Sequence, residues 1–120
     1  MLARNCTRDV IIADDVRVAR SWWNRFCGLM LVPALAAGKG LLIERCRSIH
    51  THFMRFPIDA LFLDRDGVVV AAVERMRPWR IGRYYPRACA VLELPAGTIA
   101  STETRPGDRV CFEDGGGRVV

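Results

Sequence analysis

Both histidines of the chain and one of its five cysteines fall within seven residues, Cys46-Arg47-Ser48-Ile49-His50-Thr51-His52, a short way ahead of Arg55 and Asp59. These side chains bind transition metals or activate a nucleophile. In extended backbone, His50 and His52 share a face at about 6 to 7 Å between Cα atoms, near enough for one metal ion, while Cys46 stands about 13 Å from His50. In a helical turn Cys46 meets His50 at i,i+4 and His52 points elsewhere. Neither geometry gathers all three, and a structural zinc site usually asks for four ligands with recognisable pairing. His50, His52 and Cys46 are therefore the candidate ligands if a metal binds, but no metal or other cofactor is expected. The enzymatic alternative makes Cys46 a nucleophile, His50 its base and Asp59 a further acid or base. It competes with plain packing, in which Cys46 is a small apolar side chain and His50 and Thr51 bond backbone groups in a loop. Asp59 shares strand parity with Leu61 and Leu63, so its carboxylate lies at the core edge and needs partners, Arg55 or backbone amides. Glu93, between Leu92 and Leu94, poses the same question.

A second cluster, Arg75-Met76-Arg77-Pro78-Trp79-Arg80-Ile81-Gly82-Arg83-Tyr84-Tyr85-Pro86-Arg87, holds five arginines and three aromatic residues, with no acid between Glu74 and Glu93. Guanidinium groups pair with phosphate or carboxylate oxygens, and aromatic rings stack on bases. Arg77, Trp79, Arg80, Arg83 and Tyr84 are the candidate ligand-binding residues. The leading expectation is a small binding or accessory domain that holds an anionic small ligand or peptide carboxylate in a recess between the His50 to Asp59 segment and this loop. The alternatives are a metal-binding or Cys/His-dependent enzyme centred on Cys46, His50 and His52, and a weak single-stranded nucleic-acid binder. Against all three stands a connection that Trp79 and Tyr84 merely pin down while its arginines snorkel. The net charge of +5 adds little, because it comes almost wholly from arginine spread along the chain, Lys39 being the only lysine.

The elements that must position these residues read as mostly strands. Val10 to Ile12 and Val16 to Val18, around Asp14-Asp15, suggest an amino-terminal hairpin. Ser21 caps a short helix over Trp22 to Leu29, and Pro33 to Gly38 reads as a second single turn. Leu41 to Ile43, Ile58 to Leu63, Val68 to Val73, Val91 to Leu94 and Val110 to Phe112 are strands. Asp64-Arg65-Asp66-Gly67 makes a hairpin turn between the second and third of these. Residues 98 to 104 fit either a strand end or a helical turn. The result is a single β-rich α+β domain over residues 1–120, with a core from about 8 to 113 and a flexible tail over 114–120. Its sheet is mainly antiparallel and could partly close like a barrel, with one or two short helices beside it. A nucleotide-binding fold is disfavoured, since Gly38-Lys39-Gly40 lacks the hydroxyl residue a phosphate loop needs after its lysine.

No apolar run approaches the roughly 20 residues of a membrane helix, and the first ten residues lack the apolar stretch of a secretory signal. Cytoplasmic residence is expected. Five scattered cysteines without a C-x-x-C pair read as reduced thiols rather than a disulfide framework.

Phe26-Cys27-Gly28-Leu29-Met30, Gly40 to Ile43, the run from Cys46 to Asp64, Gly67-Val68-Val69, Arg77-Pro78-Trp79-Arg80, Val91 to Gly97 and Gly107-Asp108 occur in an order that resembles domain of unknown function 192. This is also called uncharacterised protein family 0127. The resemblance spans about residues 10 to 112 and points to the cytosolic, histidine-containing branch. It implies a compact β-rich domain with short helices. It implies no activity, so no catalytic residue is carried across.

Overall fold

The computed structural model describes residues 1–19, 35–49 and 55–114. Along them run β1 (Leu2–Asn5), β2 (Val10–Ala13), β3 (Asp15–Ala19), β4 (Lys39–Glu44), β5 (Ile58–Leu63), β6 (Val69–Met76), β7 (Ala90–Pro95), α1 (Thr98–Thr102) and β8 (Val110–Glu113). The helix expected over Trp22 to Leu29 and the tail from Gly115 lie outside the described residues, as do His50, Thr51 and His52. Of the second expected turn, only Leu35 to Gly38 is described. It closes on a bond from the Lys39 amide to the Ala36 carbonyl at 3.1 Å.

Local chemistry explains the central hairpin. β5 and β6 pair antiparallel, with Leu61 opposite Ala72 and Leu63 opposite Val69. In the turn, the Asp64 carboxylate accepts the amides of Asp66 at 2.8 Å and Val68 at 2.9 Å. Gly67 takes a φ of +82°, and a Cβ there would stand 2.6 Å from the Val110 carbonyl oxygen, so glycine is required for conformation and for space.

The amino-terminal hairpin differs from expectation. β2 and β3 lie in different sheets: β2 pairs with β1, Asn5 opposite Val10, whereas β3 runs parallel to β4, Val16 opposite Gly40. The amides of Asp14 and Asp15 both donate to the Gly38 carbonyl at 3.0 Å, which swings the chain from one sheet to the other. The folded core therefore begins at Leu2, not near residue 8, and Ala3 and Asn5 are fully buried. Asn5 is satisfied at both ends. Its amide donates to Thr104 Oγ1 at 3.2 Å and Asp108 Oδ2 at 3.0 Å, and its oxygen accepts the Thr7 and Arg8 amides at 3.1 Å. Burial works to raise the Asp108 carboxyl, but hydrogen bonds from Asn5, from Arg8 at 2.6 Å and from the Arg105 amide outweigh it and hold the group below the usual carboxylate range.

One sheet has the order β2-β1-β8 and the other β3-β4-β7-β5-β6, antiparallel throughout except at β3–β4. Among the described residues they do not close into a continuous barrel. They meet at two edges, through a Val68 to Arg109 bridge and through backbone bonds between Met1 and Val16. Between them lies one core, with Leu42, Leu61, Leu63, Leu92 and Leu94 against Ala3, Ile12 and Val110. The opposite face of the larger sheet carries a second, built from Ile43, Ile58, Ala60, Phe62 and Val91 beneath Ile49 and Ala88. All six residues of β5 are buried because both faces of the sheet are covered.

The reading of the cysteines needs correction. Cys6 and Cys111 form a disulfide, with Cα atoms 6.2 Å apart across 105 residues of sequence. The β1–β8 register sets Asn5 opposite Val110, which brings Cys6 diagonally across from Cys111. A cross-link closing so long a loop stabilises by restricting the unfolded chain, by roughly 5 kcal/mol in the chain-entropy account. Cys89 is a free, exposed thiol.

Candidate anion recess and buried carboxylates

The segment before the histidines and the arginine-rich loop lie side by side. The Gly82 amide donates to the Ile49 carbonyl at 2.8 Å, the Tyr85 amide to the Arg47 carbonyl at 2.9 Å, and Ser48 Oγ to the Gly82 carbonyl at 3.2 Å. Gly82 permits this approach, since a Cβ there would meet the Ile49 oxygen at 3.0 Å. Tyr85 then seats its ring against Phe62, centroids 4.4 Å apart, which anchors the loop on the second core.

Beneath the loop opens a recess of about 470 Å³. Arg77, Arg80 and Arg83 line it, joined by Arg75, which is not among the expected ligand residues; Phe62, Val73, Met76, Ile81 and Tyr85 supply its apolar walls. Trp79 and Tyr84, the other two expected ligand residues, do not line it. They stand outside, 56% and 62% exposed, with Tyr84 Oη 3.5 Å from Arg47 Nη1. The sequence signal for the missing wall was strand parity: Val73 and Arg75 alternate on β6, and Phe62 lies one strand away on β5.

The other expected site residues are placed as follows. Cys46 is half-buried, its thiol donates to the Ser48 carbonyl at 2.8 Å, and it packs on the second core. Whether His50 or His52 approaches it falls outside the described residues. Among the described residues no three His, Cys, Asp or Glu side chains gather as a metal site. Asp59 is fully buried and accepts three backbone amides: Arg75 at 2.8 Å on Oδ1, and Gly97 at 3.1 Å and Ile99 at 2.8 Å on Oδ2. Arg55 is exposed and is no visible partner in this bonding. Asp59 thus caps α1 from across the sheet, where Gly97 has no side chain to do so.

Glu93 is 3% exposed at the middle of β7, flanked by Leu41 and Ala60, and its Oε2 has no hydrogen-bond partner among the described residues. Burial pushes its carboxyl up to about 8, so it is protonated at neutral pH.

The family described as "Uncharacterized ACR, COG1430", DUF192, matches residues 3–112. The chain belongs to the DUF192 family. Relatives in Thermococcus sibiricus and Pyrococcus horikoshii, both UPF0127 proteins, are 36% and 38% identical, over 91% and 88% of this chain and 73% and 94% of their own. A solved structure from Novosphingobium aromaticivorans, described as of unknown function, has a TM-score of 0.82 at 21% identity over 92% of this chain and 83% of its own, which shows a shared fold. Another, from Sinorhizobium meliloti and described as a transcription-regulator candidate, has a TM-score of 0.76 at 26% identity, over 98% of this chain and 92% of its own. DUF192 membership supplies no reaction, so the chemistry must be argued from the recess itself. Among the described residues no helix is long and apolar enough to cross a membrane.

Proposed function

We propose that this DUF192 protein is a small binding module that holds an anionic ligand with an apolar portion in the recess under the arginine-rich loop. One observation carries the reading: four arginines line a single recess whose remaining walls are Phe62, Val73, Met76, Ile81, Gly82 and Tyr85. Guanidinium forks suit a carboxylate or phosphate, the apolar walls suit an aryl or alkyl group, and the volume falls within the roughly 300 to 1,000 Å³ of small-molecule sites. No metal or cofactor is needed. In thermal-shift titrations, benzoate and octanoate raise the melting temperature more than acetate or inorganic phosphate does. Arg80→Ala and Arg83→Ala, both at exposed positions, keep the ligand-free melting temperature within about 3 °C and abolish the shift. A protein indifferent to every one of these anions would rule the reading out.

Cytoplasmic residence belongs to the same reading, and it bears on Cys6–Cys111, since a reducing thiol pool keeps such pairs open. Alkylation in intact cells then labels both cysteines; if both are protected, the protein belongs in an oxidising compartment.

A further inference from the structure

Among the described residues, four large hydrophobic side chains are exposed, and three of them share one short stretch of loop: Trp79 at 56%, Ile81 at 78% and Tyr84 at 62%. The backbone presents them firmly. Gly82 and Tyr85 are bonded to Ile49 and Arg47, so Ile81 and Tyr84 stand outward beside fixed anchors. Arg80, Arg83 and Arg87 are interleaved with them and are also exposed, and the stretch between Glu74 and Glu93 contains no acidic residue.

We propose that this rim docks on an anionic phospholipid surface. Ile81 and Trp79 enter the boundary between headgroups and acyl chains, Tyr84 sits at headgroup level, and the arginines pair with headgroup phosphates. Charge complementarity selects an anionic partner, and Ile81 selects the kind. A single-stranded nucleic acid uses Trp79 and Tyr84 as stacking platforms but has no use for an aliphatic side chain as the most exposed apolar group; a bilayer uses all three. Arg80, Ile81 and Arg83 belong to both the rim and the recess, whereas Trp79 and Tyr84 do not line the recess and serve docking alone.

Flotation of the full chain with vesicles tests this, comparing phosphatidylglycerol mixed into phosphatidylcholine with phosphatidylcholine alone. Binding is expected only to the mixed vesicles and declines as sodium chloride is added. Ile81→Ser and Trp79→Ala each weaken it about tenfold while melting like the parent protein. Trp79→Ala also keeps the thermal shift with benzoate, so loss of docking and failure of the recess reading are told apart. The proposal is overturned if the chain ignores mixed vesicles at low salt, or if Ile81→Ser binds them as well as the parent does. It is equally overturned if a labelled oligothymidylate strand displaces the vesicles and depends on Trp79 and Tyr84 but not on Ile81.

Discussion

Asp59→Asn lowers the free energy of unfolding by about 3 to 5 kcal/mol, measured by urea denaturation. The carboxylate is fully buried, and its two oxygens between them accept the amides of Arg75, Gly97 and Ile99. Asparagine keeps one oxygen. If that oxygen faces Gly97 and Ile99, the new amide hydrogens confront the Arg75 N–H; reversed, two backbone donors lose their acceptor. Each buried donor left without a partner costs roughly 1 to 3 kcal/mol, and the bonds lost had a charged acceptor, the stronger kind. The effect reaches the recess, because Arg75 lies on its wall and holds a left-handed φ of 51° while bonded to Asp59. The variant therefore also shows a smaller benzoate shift. A loss below about 1 kcal/mol would mean that the three amides find other acceptors.

Glu93 governs the second large effect. The unfolded chain releases this proton near pH 4.5, whereas the folded protein keeps it to about 8. Between those values the folded state binds one proton more than the unfolded state, so stability falls as pH rises, by about 1.4 kcal/mol per pH unit. This contribution is complete below the unfolded value and is lost as pH climbs through the folded one. Asp108 acts in the opposite sense. Its carboxyl is held below the ordinary 3.8, so its contribution is present above that value and disappears as pH falls through the folded one. The joint contribution of these two groups is therefore complete between 3.8 and 4.5 and declines as pH rises from there toward 8, and Glu93→Gln flattens that descent while leaving the acid arm unchanged. Denaturation midpoints at successive pH values decide the matter. A parent protein equally stable at pH 5 and pH 8 would show that ionised Glu93 finds a partner or water.

Much of this was legible in short windows. The apolar run from Ile58 to Leu63, the Asp64 to Gly67 turn and the run that follows are local statements, and they fold as they read. Parity placed Asp59 on the Leu61 side, at a position where it must find partners, though not which ones. The arginines around Trp79 were visible as a cluster, and three of the expected five ligand residues do line the recess. What escaped had no local signature. β1 has four residues, two of them polar, and earns its burial from β2 and β8 on either side. The parallel pairing of β3 with β4 depends on a pivot at Gly38.

Residue order alone determined the β-rich class, the family and the crowding of guanidinium groups into one loop, since alternation, turn chemistry and motif spacing act over a few neighbours. Tertiary structure alone decided that Cys6 meets Cys111 across 105 residues, that Asp59 caps α1, and that Phe62 and Val73 complete the recess. The physical reason is register. A one-residue slip in a strand pair exchanges every inward side chain for an outward one, and only the packing of two sheets against each other selects among the slips.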